Sequence, residues 1–195
     1  ETAERLFKLC GDNPVLKRYL SVIKSNAERM QSLIQQLMEF RKVETGYLEL
    51  YVQDVDMWEL VANTTGNFVD IAEEKEITFT IEITPDVRTW NTDRSAFEKV
   101  LFNLLSNAFK YTSDGGSISM ELADGADECM FSVSDNGAGI SEEDYVKIFE
   151  RFYQAENIGQ YGGTGIGLAL SQGIVKAHQG DITVESQLGK GSCFK

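Results

Sequence analysis

Only three cysteines occur in the 195 residues, Cys10, Cys129 and Cys193, and they are scattered without a C-x-x-C pair. That excludes a disulfide framework or a zinc site built on paired thiols, and it suits a reducing compartment. No run approaches the roughly 18 consecutive apolar residues that cross a bilayer. The first residues also lack the charged, apolar and small-residue order of a signal peptide. The expectation is a cytosolic chain, which leaves room for a membrane protein as its parent. Basic charge is short as well: 18 Lys and Arg stand against 31 Asp and Glu, a net charge of −13. Such a field repels a phosphate backbone unless a local basic stripe opposes it, and none is found, so nucleic acid is not expected as a partner. A single nucleotide is not excluded by the same field, because a magnesium ion and a few backbone amides hold phosphates locally.

A hydrophobic fraction of 42% and a charged fraction of 25% are those of a folded globular chain. The length suits one ordinary domain, or a compact domain with a helical appendage. Residues 1–10 read as the last turns of a helix, stopped by Gly11-Asp12-Asn13-Pro14. From there to Glu44, Leu16, Leu20, Ile23, Ala27, Met30, Ile34 and Leu37 recur at alternating fours and threes, a heptad seam. Tyr19, Val22, Leu33 and Phe40 widen the stripe. That width suits a helix of a four-helix bundle, or else a long helix packed on its own domain. Gly46 ends it.

Beyond Gly46 the period changes. Residues 48–52, 77–83, 117–122, 128–134, 181–186 and 192–194 read as strands, the last one cut short. Helices are expected from Met57 to about Lys75, from an Asp93 N-cap to Tyr111, opening at Ser141, and from Thr164 to Ala177. Strands and helices mix without strict βαβ alternation. The expected fold is therefore α+β, a two-layer sandwich whose mixed, mostly antiparallel sheet carries helices on one face, preceded by a long helix.

Three segments carry candidate chemistry. On the helix from Asp93, Asn103, Asn107 and Lys110 fall at i, i+4 and i+7, one stripe opposite Phe97, Val100, Leu101, Leu104, Leu105 and Ala108. Asn offers a neutral oxygen to a hard cation and Lys meets phosphate, although a solvated helix face would look the same. Asp135-Asn-Gly-Ala-Gly-Ile140 follows an alternating strand; its glycines let backbone approach a flat ligand, or simply make a turn. Tyr161-Gly-Gly-Thr-Gly-Ile-Gly-Leu168 leads into a helix and presents consecutive N–H groups suited to phosphate, the alternative being a flexible loop. It is neither a dinucleotide fingerprint nor a P-loop, since no strand leads into it and G-K-[ST] is missing.

In this order and spacing, with Ile148-Phe-Glu-Arg-Phe-Tyr153 between the last two, the segments resemble the histidine kinase branch of the GHKL ATP-binding superfamily. Asn103 to Thr112 looks like its N-box, Asp135 to Ile140 like its first glycine box, Ile148 to Tyr153 like its phenylalanine box, and Gly163 to Leu168 like its second glycine box. The helix ending in Phe40-Arg-Lys-Val-Glu44 resembles the second helix of the dimerisation and phosphotransfer stem. The resemblance implies a partial stem over residues 1–46 and an ATP-binding catalytic domain over 47–195.

It further implies that Asn107 holds magnesium through its amide oxygen, with Asn103 on the phosphate side, Lys110 on phosphate and Tyr111 against the nucleotide. Asp135 would accept the adenine amino hydrogen, and Gly137, Gly139 and Ile140 would line the base pocket. Residues 154–162 would form a mobile lid, anchored by Phe149 and Phe152, with Phe149 and Tyr153 also among the nucleotide-binding residues. Gly163, Thr164, Gly165, Ile166, Gly167 and Leu168 would meet the phosphates. ATP and Mg2+ are thus the implied ligands, a response-regulator receiver domain the implied partner. The implied homodimer through the stem is weakened because one stem helix is missing. The implied location is the cytoplasmic part of an inner-membrane sensor.

One departure stands out. Members carry a phosphoacceptor histidine on the first stem helix, whereas the single histidine here is His178, at a helix end before Gly180. There an imidazole suits the helix dipole and a glycine cap follows, a structural role. The acceptor is expected upstream of Glu1, and the fragment is expected not to phosphorylate itself. Superfamily members that hydrolyse ATP place a water-activating glutamate four residues before the magnesium-binding Asn. Asn103 stands there instead, which disfavours an ATPase. Intact glycine boxes disfavour a degenerate kinase kept only as a dimerisation scaffold.

Overall fold

The computed structural model describes residues 13–84, 89–124, 129–155 and 163–195. Helix α1, Pro14–Glu44, begins where the Asn13 side chain accepts from the Val15 and Leu16 amides and Pro14 occupies the first turn. It ends at Thr45, whose hydroxyl donates to the Arg41 carbonyl at 2.6 Å, and Gly46 follows at φ 71°. Its heptad residues Leu16, Ile23, Met30, Ile34 and Leu37 are exposed, while Leu33, Phe40 and Val43 pack on the rest of the chain.

Next come β1 (Gln53–Asp56), α2 (Met57–Gly66), α3 (Val69–Glu74), β2 (Thr78–Ile83) and β3 (Thr89–Thr92). Then follow α4 (Arg94–Tyr111), β4 (Ser117–Asp124), β5 (Cys129–Asp135), two 3-10 turns (Glu142–Asp144 and Lys147–Phe149), α5 (Gly167–Ala177), β6 (Val184–Gln187) and β7 (Gly191–Phe194). The main sheet runs β2-β4-β5-β7-β6, parallel only between β2 and β4. Along β4, Ile118, Met120 and Leu122 are buried and Ser117, Ser119 and Glu121 exposed, so helices cover one face only. Under that layer Leu60, Leu101, Leu104, Leu105 and Met120 are fully buried, each stabilising by about 1.5–3 kcal/mol relative to exposure.

Three expectations need correction. Residues 48–52 are not a strand: Leu48 and Leu50 alternate because they pack on the core, and the ladder begins only at Gln53, where β3 supplies a partner. The helix from Met57 breaks at Asn67, whose side-chain amide bonds the Asn63 and Thr64 carbonyls while Phe68 turns inward and stacks on Phe109. After α5 the left-handed position is taken by Gln179 at φ 63°, not by Gly180.

Asp93 does cap α4, accepting from the Ala96 amide at 3.0 Å, and its second oxygen accepts from the Tyr51 amide at 2.9 Å. Burial works to raise this carboxyl, yet those amides and that of Ser95 outweigh it and hold it below the ordinary range. His178 ties the two helices together: Nδ1 bonds the Ile174 carbonyl at 2.9 Å, and Nε2 accepts from the Asp93 amide at 3.4 Å. Among the described residues no helix is long and apolar enough to cross a membrane.

Candidate functional site

A cavity of about 140 Å³ opens between α4, the end of β5, the 3-10 turns and the start of α5. From α4 come Asn103, Asn107, Lys110 and Tyr111, all half-buried, as a polar stripe on a helix whose other side is core must be. Asn103 donates to the Ser171 hydroxyl at 2.8 Å. Its carboxamide fills the notch left by Gly167, where a Cβ would stand 2.2 Å from Oδ1. Lys110 Nζ donates to the Tyr111 hydroxyl at 2.8 Å and lies 2.9 Å from where a Cβ on Gly163 would be. The α4 cation therefore faces the loop that precedes α5.

At the other side stands Asp135. Its Oδ1 accepts the Gly137 amide at 2.8 Å, and the Ser192 amide also bonds the carboxylate. Burial nevertheless pushes this carboxyl above the usual range, against the pull of both amides. Gly139, at φ 68°, presses against the Gln187 carbonyl, and the Ile140 amide donates to the Ser186 hydroxyl at 2.8 Å. Both line the cavity.

Gly163, Thr164, Gly165, Gly167 and Leu168 close a third side. The N-cap of α5 is Ile166, which supplies no side-chain hydrogen bond. The first amides of a helix have no intrahelical partner, so this end presents donors and a positive dipole to the cavity.

Not every expected residue reaches it. Gly137 does not line the cavity because the Tyr111 carbonyl occupies the space beside it, 2.3 Å from a would-be Cβ. Ile166 points into the core with 2% exposure, and Phe149 packs against the same core, one residue past the cavity-lining Ile148. Phe152 is 62% exposed in left-handed backbone and meets Gly165 through its main chain, its amide donating to the Gly165 carbonyl at 2.8 Å. Tyr153 lines the cavity. Of the expected lid, residues 156–162 lie outside the described residues; Gln154 Nε2 donates to the Gly163 carbonyl at 3.0 Å, joining its two ends.

Ser192 and Phe194 of β7 and Gln36 of α1 also line the cavity, and sequence reasoning missed all three. For Ser192 a signal existed in Gly189-Lys-Gly191, a turn that lets β7 press on Asp135: Gly191 sits at φ 101° with a would-be Cβ 1.9 Å from the Asp135 carbonyl. Nothing local marks Gln36, whose Oε1 accepts from the Thr164 hydroxyl at 3.0 Å. A larger cleft of about 640 Å³ runs between α1 and α4, meeting the first cavity at Gln36, Asn103 and Gly167. Its half-buried carboxylates, Glu39 and Glu98, are paired with Lys99 and Arg94, whereas Asp135 in the smaller cavity is held by backbone amides beside glycines.

The chain spans only 14 to 35% of the length of the relatives it matches first. Histidine kinase P4 of Formosa agariphila is 34% identical over 95% of this chain, which covers 14% of that kinase. Among solved structures, ShkA in complex with AMPPNP superposes with a TM-score of 0.82 at 24% identity, over 93% of this chain and 38% of that one, which shows the fold. ThkA in complex with the response regulator TrrA gives a TM-score of 0.72 at 25% identity, over 98% of this chain and 53% of that one. The family described as histidine kinase-, DNA gyrase B- and HSP90-like ATPase matches residues 92–195, the span that holds α4, Asp135 and the glycine loop. The chain therefore belongs to that ATPase family, and the relatives it resembles are themselves histidine kinases.

Proposed function

We propose that the chain binds ATP with magnesium in the 140 Å³ cavity and is the catalytic portion of a sensor histidine kinase. One observation carries this: a half-buried Asp135 faces, across one cavity, Lys110 and the uncapped N-terminus of α5. The carboxylate accepts the adenine amino group. The lysine and the helix amides take the phosphates at the other end. Asn107 supplies an amide oxygen to the metal. Among the described residues no group of three His, Cys, Asp or Glu is gathered to hold a metal ion, so phosphate oxygens and water must complete its shell.

Catalysis by these residues is placement and charge neutralisation of the γ-phosphoryl group. Its acceptor is a stem histidine that this sequence does not contain, and relay runs to an aspartate of a response-regulator receiver domain. The ThkA complex supports such a partner. Residues 1–46 belong to a dimerising stem and 47–195 to the catalytic domain. The exposed Leu16, Ile23, Met30, Ile34 and Leu37 suit a homodimeric bundle. Attachment to an inner membrane, with this part on the cytoplasmic side, lies with regions outside the chain.

Calorimetric titration with ATP and magnesium, followed by incubation with a separately made stem carrying an acceptor histidine, tests the proposal. Saturable ATP binding and slow transfer of label to the stem are expected, slow because the parts are no longer held together. Absence of ATP binding would end this reading.

A further inference from the structure

We propose that Asp144 is a positioning residue for nucleotide binding, acting through Tyr153. Its carboxylate holds the Tyr153 phenol as a fixed wall of the cavity. The inference rests on reading that cavity as the adenine pocket.

Asp144 belongs to the 3-10 turn Glu142–Asp144, and Tyr153 ends the Ile148–Tyr153 motif. Both carboxylate oxygens of Asp144 are engaged. Oδ1 accepts the Tyr153 hydroxyl, and Oδ2 accepts the Ser141 hydroxyl at 2.8 Å. The Tyr153 bond, then that of Ser141, holds this carboxyl below the usual range, with a smaller contribution from the Lys147 ammonium. Lys147 also stands 6.0 Å from the centre of the Tyr153 ring. A carboxylate open to water thus commits itself to a tyrosine nine residues away, and that tyrosine lines the cavity.

The main chain of Tyr153 is held from the opposite side. Gly165 at φ 65° lets the glycine loop close on it: a Cβ there would stand 2.6 Å from the Phe152 Cα and 2.9 Å from the Tyr153 carbonyl oxygen. With backbone and hydroxyl both fixed, the ring is set before ligand arrives. A ring free to rotate would have to be ordered at each binding event, and that ordering lowers affinity. The ring lines the same cavity as Asp135 and Ile140, and the proposal assigns its effect to the base.

Titration calorimetry of the chain with ADP and with ATP, each with and without magnesium, tests this on Asp144→Ala, Asp144→Asn, Tyr153→Phe and the Asp144→Ala/Tyr153→Phe pair. Asp144→Ala and Tyr153→Phe should each weaken both nucleotides by about three- to tenfold, whether or not magnesium is present. The pair should lose no more than either single variant. Asp144→Asn, which keeps an amide oxygen for the phenol, should recover most of the affinity. In the assay with a separate stem, KM for ATP should rise in Asp144→Ala while kcat stays. Unchanged affinity in Asp144→Ala, additive losses in the pair, or no recovery in Asp144→Asn would each overturn the inference. If the unsubstituted chain binds neither nucleotide, the adenine-pocket reading falls instead.

Discussion

Asp135→Asn separates the chemistry of the pocket from its shape. In the parent, Asp135 accepts the amides of Gly137 and Ser192 and still has acceptor capacity toward the cavity. The asparagine can keep the Gly137 bond at 2.8 Å through its oxygen, but its other terminus becomes a donor. An adenine amino group then meets a donor in place of a charged acceptor. The lost bond is worth about 1.5–3 kcal/mol, roughly ten- to 150-fold in affinity. Guanine presents a carbonyl oxygen at that edge, so GTP should gain while ATP loses, and the ATP-to-GTP ratio should collapse or invert.

Acid gives a second reading of the same group. Burial raises the Asp135 carboxyl, so it protonates at a higher pH than an ordinary aspartate. The affinity ratio of parent to variant should fall as pH drops through that raised value, while ligand titration cancels in the ratio. Stability moves the other way. A raised folded-state pKa gives stability present below the unfolded value and lost as pH rises through the folded one. At neutral pH, removal of the buried charge should therefore offset part of the loss of the Ser192 bond, and the variant should melt close to the parent. Calorimetry with both nucleotides, with thermal melts alongside, measures all of this. Equal ATP and GTP affinities in the parent, or an unchanged ratio in Asp135→Asn, would refute the role given to this carboxylate.

Asn107→Ala should abolish most of the magnesium-dependent gain in ATP affinity and leave metal-free binding near the parent value; unchanged magnesium dependence in calorimetry would remove Asn107 from the metal. His178→Ala strands the Asp93 amide, while the Ile174 carbonyl keeps the main-chain amide of residue 178, and should cost about 1 kcal/mol, lowering the melting midpoint by roughly 2–4 °C. After incubation with labelled ATP the parent should carry no acid-labile phosphate, and label that vanishes in His178→Ala would contradict the structural role. Gly173→Leu should drive α1 off α5, because even a Cβ at Gly173 would stand 2.2 Å from Val43 Cγ1. The Lys99–Glu39 and Arg151–Glu44 pairs, which tie α1 to α4 and to the residues after the second 3-10 turn, are partly open to solvent and too weak to hold α1 in place. Faster hydrogen exchange in α5 checks this.

Where one element carried its own information, the sequence determined it. The limits of α4 followed from the Asp93 cap, and its polar stripe followed from helical spacing, because both depend on neighbours within one or two turns. Likewise the exposed seam of α1 and the alternation of β4 and β5 were legible, since period alone decides which face is apolar. Asp135, Gly139, Ile140 and Thr164 to Leu168, apart from Ile166, reached one cavity as the motif order implied.

Tertiary structure alone decided which atoms fill the notches. Gly137 is walled off by a carbonyl from the end of α4, and Phe149 and Ile166 are drawn into the core. The β1–β3 pair and the inward turn of Phe68 onto Phe109 after α2 depend on partners that no local period encodes. Ser192 and Gln36 reach the cavity from strands and helices distant in sequence. Periodicity fixes the face a side chain takes, but close packing against remote elements fixes what it touches, and only the folded chain brings those elements within contact.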